Sequence, residues 1–259
     1  MSIDQAQVGQ ALEILGAGTR LDILGENTDL LRYAESEITA QHSERRLRVR
    51  VRINRDGRAV AGSLETLDPQ AVRALADRLS AAIAELPCPP EAAAGSVVEV
   101  TGSDELEQPE VAVSRTVLES DPALRHQWFT TVRDGLDPST KLGGAIRYET
   151  MDRVVADSSG LIRSETLTKA SIQAIAKQDG RSASVKLLHR DADQIPIEEI
   201  PARLREALTP LPMGEAHHGT CRVLLKPQAV NSLIATYGYA ALGANAYATG
   251  RSTVSGRLG

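Results

Sequence analysis

The clearest pattern in the chain is an alternation of aliphatic and arginine side chains over residues 45–54. Successive side chains of an extended backbone point to opposite faces, so this alternation predicts a strand with one buried and one solvated face. Asp56 and Gly57 follow, and this pair supplies the positive φ angles of a tight hairpin that returns residues 59–64 as a second strand. The aliphatic positions are Leu47, Val49, Val51 and Ile53, and the basic positions are Arg46, Arg48, Arg50 and Arg52.

A helical period follows this hairpin. Asp68 is expected to cap a helix with Pro69 in its first turn, because apolar residues then recur at steps of three and four. This helix must cover the sheet, to which the upstream runs 20–24 and 30–39 are expected to add further strands. Together these elements form a first predicted unit, residues 1–90, which a Pro-rich linker follows.

A second predicted unit covers residues 96–215. Asp121 and Pro122 open a helix, and three extended runs then alternate with turn sequences such as Asp157-Ser158-Ser159-Gly160. Short turns between long strands favour an antiparallel meander, so each unit combines a β-meander with helices that cover it, and the predicted class is α+β. The extended runs are residues 144–156, 161–177 and 181–189.

The third predicted unit, residues 219–259, is expected to be the start of a C-terminal domain. Residues 221–225 are expected to form a short buried strand, and Pro227 is expected to begin a buried helix. Because the chain stops at Gly259 without completing an element, we expect this domain to be truncated. The last residues of such a fragment would pack poorly and expose an apolar patch.

Composition narrows the classes of function. The chain has 259 residues, a formal net charge of −5 and only 3% aromatic residues. A nucleic-acid partner is therefore not expected, because that binding draws on basic surfaces and aromatic stacking. Cys88 and Cys221 form no CxxC pair, the N-terminus lacks a basic export signal, and the uncharged segment 227–250 is too polar to span a membrane. We expect a cytoplasmic protein without a membrane partner.

Motifs for enzymatic chemistry are sparse. GxSxG, GxxxxGK[ST], HExxH and HExxxH are all missing from the sequence. His217, His218 and Cys221 are the main cluster of zinc-ligand side chains, but adjacent side chains of an extended segment point apart and no fourth ligand has sensible spacing. A polar linker running into a buried strand residue is the preferred interpretation. The other polar cluster, His189, Asp191 and Asp193, is interpreted as a solvated turn.

The arginine row of residues 46–52 has two interpretations. It is either a surface that binds an acidic partner, or a solvent-facing strand whose like charges discourage edge-to-edge aggregation. We prefer the second, because Glu35, Glu37 and Glu44 lie nearby in the sequence to balance the charge.

Several short motifs follow one another in a defined order along the chain. They are the strand of residues 47–57 that runs into Asp-Gly, the helix start Leu67-Asp68-Pro69, the turn of residues 157–160 followed by residues 166–179, and residues 221–227, 250–253 and 255–259. Their order and spacing resemble the TldD/PmbA family, whose members are described as modulators of DNA gyrase and as metallopeptidase-related proteins. The similarity spans almost the whole chain.

The resemblance implies a cytosolic pair of subunits that encloses a cavity in which peptides are cleaved. One subunit type holds zinc through an HExxxH helix and a later Cys, whereas the PmbA-like type lacks both. Here Pro227, Gln228 and Ser232 occupy the positions that best match the HExxxH ligands. Their side chains can neither hold zinc as the histidines do nor take a proton from the metal-bound water as the glutamate does. The resemblance therefore implies a subunit with no catalytic or metal-binding residues and no cofactor, and zinc is expected only in an active paralogue.

We accordingly predict the metal-free subunit of a peptide-processing complex, paired with a zinc-bearing TldD-like paralogue or with a second copy in a dimer. An extended peptide substrate is expected to add as a strand to a sheet edge. Two alternatives stay open. One is a stand-alone protein-interaction module that uses the sheet faces and the arginine row, and the other is a zinc-dependent hydrolase that uses His217, His218 and Cys221.

Overall fold

The computed structural model describes residues 3–87, 113–210, 218–243, 246–247 and 249–257. Residues 1–210 form one compact unit and residues 211–259 form a second. The predicted linker after residue 90 and the predicted start of a unit at residue 96 lie outside the described residues.

The first unit is built on one six-stranded antiparallel sheet with the strand order β3-β2-β1-β4-β5-β6. The predicted α+β class and the antiparallel meanders are confirmed. Strand β1 pairs with β2 on one side and with β4 on the other, so the segments 1–90 and 96–215 share a single sheet. The strands are β1 (Thr19–Ala34), β2 (Glu37–Arg55), β3 (Arg58–Leu64), β4 (Lys141–Asp157), β5 (Ile162–Gln178) and β6 (Arg181–His189).

Five helices of this unit pack on the same face of the sheet, against the side chains that alternation turns toward them. The first cluster of buried residues joins α1 and α2 to Leu21, Val49 and Val51. The second joins α3, α4 and α5 to Ile146 and Ile172. The helices are α1 (Gln5–Leu15), α2 (Pro69–Glu85), α3 (Arg115–Glu119), α4 (Pro122–Asp134) and α5 (Ile200–Leu208).

Polar side chains separate the two hydrophobic clusters on the covered face. Asp29 accepts a hydrogen bond from Ser120 Oγ at 2.7 Å, and Thr168 Oγ1 accepts one from the Ser114 backbone N–H at 2.9 Å. Thr150 and Thr168 are buried. Buried polar groups need hydrogen-bond partners, and Thr168 has one in Ser114. These polar residues form a belt that divides the core into two clusters while the sheet runs on without a break. It explains why the sequence pattern resembles two units.

The predicted turns are confirmed where Asp-Gly pairs occur. Asp56 and Gly57 have φ angles of 51° and 72°, which suit the two-residue hairpin between β2 and β3. The prediction of one strand over residues 30–39 is wrong, because Glu35 and Ser36 turn the chain with φ angles of 50° and 65°. The Ser36 hydroxyl stabilises this turn, since it accepts a hydrogen bond from the Leu142 N–H at 3.0 Å.

The second unit departs from two expectations. Residues 221–225 form no strand, and Cys221 is exposed rather than buried. A strand needs a partner for its backbone groups, and the described residues of this unit contain no other strand. Helix α6 (Pro227–Ala241) begins where predicted, but it is not buried as expected: Leu233 is 60% exposed and Ile234 is 65% exposed. No helix among the described residues has the length and apolar character to cross a membrane.

Gly144 of β4 lies where β1, β4 and β5 pack closely together. Its φ is +152°, and a Cβ atom there would collide with the carbonyl oxygen of Gln173, which also accepts a 2.7 Å hydrogen bond from Tyr33 Oη. We expect Gly144→Ala to lower the free energy of unfolding by about 2 kcal/mol or more. Gly143→Ala is the control, because its nearest neighbour would lie 3.7 Å away. Urea denaturation measures both, and equal losses would contradict this packing.

Candidate functional site: the open face of the sheet

The residues that match the zinc motif lie at the start of α6. Pro227 is its first residue, and a pyrrolidine ring offers no metal ligand. Ser232 lies further along the helix, and the side chain of Gln228 is outside the described residues. No three His, Cys, Asp or Glu side chains of the described residues are grouped to hold a metal ion. Pro227 and Ser232 do not fit a zinc ion held by this helix, because neither replaces the imidazoles of the motif.

The alternative zinc cluster is not assembled in the part of the chain that the structure describes. His217 lies outside that part, and His218 and Cys221 are both exposed on a segment without regular secondary structure. The prediction that Cys221 is a buried strand residue is therefore wrong.

The other polar cluster fastens helix α3 to the chain that leaves β6. Ser114 Oγ donates to Asp191 Oδ1 at 2.8 Å, and Thr116 Oγ1 donates to Asp193 Oδ1 at 2.9 Å. The Asp191 N–H donates to His189 Nδ1 at 3.1 Å. These hydrogen bonds assign a structural role to the cluster, at the N-terminus of α3.

The face of the sheet opposite the five helices carries the arginine row. Arg46, Arg48, Arg50 and Arg52 alternate with the buried aliphatic residues of β2, as predicted. Across β1, the equivalent face of β4 adds Arg147 and Arg153. Between them on β1, Asp22 lies opposite Arg50 and Glu26 lies opposite Arg46 of β2, and Arg153 of β4 lies opposite Leu24. Among the described residues of the first unit, no helix packs on this face.

Only part of the positive charge on this open face is neutralised. Arg48 lies 3.9 Å from Glu26, and Arg153 lies 3.1 Å from Glu165. Arg50 has no ion pair within 4.0 Å among the described residues. An exposed, unneutralised guanidinium attracts carboxylates, so this face favours an acidic partner.

The expected acidic balance is only partly present. Glu44 lies 2.5 Å from Arg46, whereas Glu35 pairs instead with Lys141 at 3.8 Å. The reason is topological: Glu35 lies in the turn between β1 and β2, next to the start of β4. Proximity in the sequence therefore overestimated how much of the arginine row is neutralised.

A shallow depression of about 250 Å³ lies on the open face where β2, β1 and β4 run side by side. Its polar lining combines Arg48 and Arg50 of β2 with Arg153 of β4 and with the carboxylate of Asp22 on β1. Leu24 and Val155 add apolar surface between them. This arrangement can hold a carboxylate against the guanidinium groups while an adjoining apolar group covers the aliphatic side chains.

Sequence reasoning missed Arg153, because its place in the same depression as Arg48 and Arg50 depends on the pairing of β1 with β4. These strands are separated in the chain by more than a hundred residues. A signal was available in the alternation of Arg147, Glu149, Met151 and Arg153, which marks a second solvated face.

The buried aromatic groups lie on the covered face and belong to the core. Arg125 lies 5.3 Å from the ring centroid of Tyr148, and the rings of Tyr148 and Trp128 meet in a T-shaped arrangement. Burial raises the pKa of Tyr148 and that of Tyr33 well above the ordinary value, so both phenols stay protonated. Neither phenol reaches the open face.

The fold is also seen in solved structures of proteins that share little sequence with the chain. A candidate modulator of DNA gyrase from Bacteroides thetaiotaomicron matches with a TM-score of 0.67 and 12% identity, over 80% of this chain and 50% of that one. A second candidate modulator, from Thermotoga maritima, matches with a TM-score of 0.61 and 14% identity, over 79% and 47%. TldE from Thermococcus kodakarensis matches with a TM-score of 0.59 and 14% identity, over 78% and 46%.

The chain has the fold of these proteins. The predicted resemblance to the TldD/PmbA family is thereby confirmed at the level of the fold. The chain spans about half the length of each solved structure. The sequence matches no protein-family model, and no curated protein matches it either.

Stability measurements test whether the open-face arginines are available for binding. We expect Arg48→Ala/Arg50→Ala to lower the free energy of unfolding by less than about 1 kcal/mol, because exposed ion pairs contribute little. Arg125→Ala is the contrast: Arg125 is 5% exposed and donates to Ser120 Oγ at 2.7 Å and to Ser120 O at 3.1 Å. Its loss should cost about 2 kcal/mol or more. Urea denaturation compares them, and a larger loss for the double variant would give the row a structural role.

Proposed function

We propose that the chain is a metal-free, PmbA-like subunit of a cytosolic peptide-processing complex. The observation that carries this proposal is the fold, which matches TldE and the two gyrase-modulator structures over about four fifths of the chain. Pro227 and Ser232 of α6 give it further support, because neither side chain replaces a zinc-binding histidine.

In this proposal the two subunits of the complex have different roles. A zinc-bearing TldD-like paralogue supplies the hydrolytic chemistry, in which a metal ion activates water and polarises a peptide carbonyl. This chain contributes contact surface for the paralogue or for the peptide, and its positively charged open face suits acidic groups. A dimer of this chain alone would lack that chemistry.

A stand-alone interaction module is the second candidate. The observation that favours it is the same open face, where Arg48, Arg50 and Arg153 border one depression. Such a module would bind acidic proteins through this face without any connection to peptide cleavage.

Reconstitution distinguishes these functions. We expect the purified chain to hold no stoichiometric zinc and to cleave no peptides, and to co-purify with a TldD-like paralogue from the same genome as a complex that does cleave them. His218→Ala/Cys221→Ala should leave zinc content and complex activity unchanged, because both side chains are exposed. Metal analysis, light scattering of the complex and cleavage of a peptide mixture measure these properties.

Two results would contradict the proposal. One zinc per purified chain, lost in His218→Ala/Cys221→Ala, would identify a zinc hydrolase instead. The interaction module would be identified if the chain does not bind the paralogue but binds acidic proteins, and if that binding depends on Arg48 and Arg50.

A further inference from the structure

Strand β2 is much longer than its outer neighbour β3. β2 covers Glu37–Arg55, but β3 pairs only with its second part, from Val49↔Leu64 to Arg55↔Arg58. β3 ends at Leu64 because the chain then turns into the core: Leu67 is only 6% exposed, and Asp68 caps helix α2. In the described part of the chain, residues 37–48 of β2 therefore pair on the β1 side alone.

The backbone groups that this free edge presents follow from one hydrogen bond. The N–H of Asn54 donates to Gly18 O at 2.8 Å, on the β1 side. In an antiparallel strand the N–H and C=O of alternate residues point to the same neighbour, so even-numbered residues of β2 face β1. The odd-numbered residues Ser43, Arg45 and Leu47 consequently direct their N–H and C=O groups to the free edge. These groups form a template for one more strand.

Arginine side chains flank both sides of this edge. Arg46 and Arg48 lie on the open face, and the alternation places Arg45 on the opposite face. Arg45 has no ion pair within 4.0 Å in the described ranges, Arg46 lies 2.5 Å from Glu44, and Arg48 has only the long contact with Glu26 at 3.9 Å. A depression of about 460 Å³ lies here, lined by these three arginines, Leu47 and Glu65. An added strand would meet positive charge on both of its faces.

The arginine charges beside the free edge of β2 favour some binding partners over others. In a second copy of β2 paired antiparallel about Arg45, the two Arg45 side chains would lie opposite each other, which opposes pairing, while Glu44 would lie opposite Arg46. A single-stranded nucleic acid would use the arginines but not the edge donors and acceptors, and no aromatic side chain lines the depression for stacking. An extended peptide with acidic side chains uses both the backbone groups and the charges.

We infer that residues 41–48 of β2 bind an extended acidic peptide segment as an additional strand in line with β3. Its backbone pairs with Ser43, Arg45 and Leu47, and its carboxylates on the two faces meet Arg45 on one side and Arg46 and Arg48 on the other. This site is independent of the proposed function, because it requires only the isolated chain.

Fluorescence anisotropy with a labelled peptide of alternating Val and Glu tests the site. We expect the wild-type chain to bind it, and Arg45→Glu/Arg46→Glu to weaken binding about tenfold or more, because two attractions become repulsions. Lys177→Glu/Arg181→Glu is the matched control, because it changes the charge by the same amount at the β5–β6 hairpin, toward the opposite edge of the sheet. This variant should leave binding unchanged. N-methylation of alternate peptide amides should also weaken binding about tenfold, because it blocks strand pairing.

Several outcomes would overturn the inference. They are absence of binding to the wild-type chain, equal weakening by the control variant, and full binding of the N-methylated peptide, which would indicate attraction by charge alone. A single-stranded oligonucleotide that binds more tightly than the peptide with the same arginine dependence would assign the edge to nucleic acid. Circular dichroism verifies that each variant is folded, and Arg45→Gln/Arg46→Gln replaces the double reversal if that variant is not.

Discussion

The structure of the first unit depends on β1, which pairs along its length with β2 on one side and β4 on the other. This double pairing joins sequence segments that each carry their own hydrophobic pattern. It also sets the two faces of the sheet, because the residues that alternate inward on β1 select which residues of β2 and β4 face the helices. Leu21 and Leu31 are both fully buried, one in each cluster, so one strand anchors both halves of the core.

The same arrangement explains why the open face is charged. Among the residues described for this unit, the five α-helices pack on one side of the sheet, so the other side has to be compatible with water. Arginines from β2 and β4 meet there, although the chain as a whole carries a formal charge of −5. A local positive surface on an acidic protein favours acidic partners and does not require nucleic acid as a partner.

Local elements were predictable from the sequence, and assembly was not. The alternation in β2, the turn at Asp56-Gly57 and the cap at Asp68 depend on neighbouring residues alone, and all three are confirmed. The pairing of β1 with β4, which brings Arg153 and Arg48 to one depression, depends on residues far apart in the chain. The period of α6 predicted its apolar face, but burial requires a partner surface, which periodicity does not specify.

Native-state hydrogen exchange tests most directly whether β1 holds the unit together. If it does, the slowest amides of β1, β2 and β4 should exchange with one common free energy of opening, equal to that of global unfolding measured with urea. The β2–β3 hairpin and the β4–β6 meander would then be parts of one cooperative structure. A hairpin that exchanges through a separate opening of much lower free energy than the meander would contradict this account.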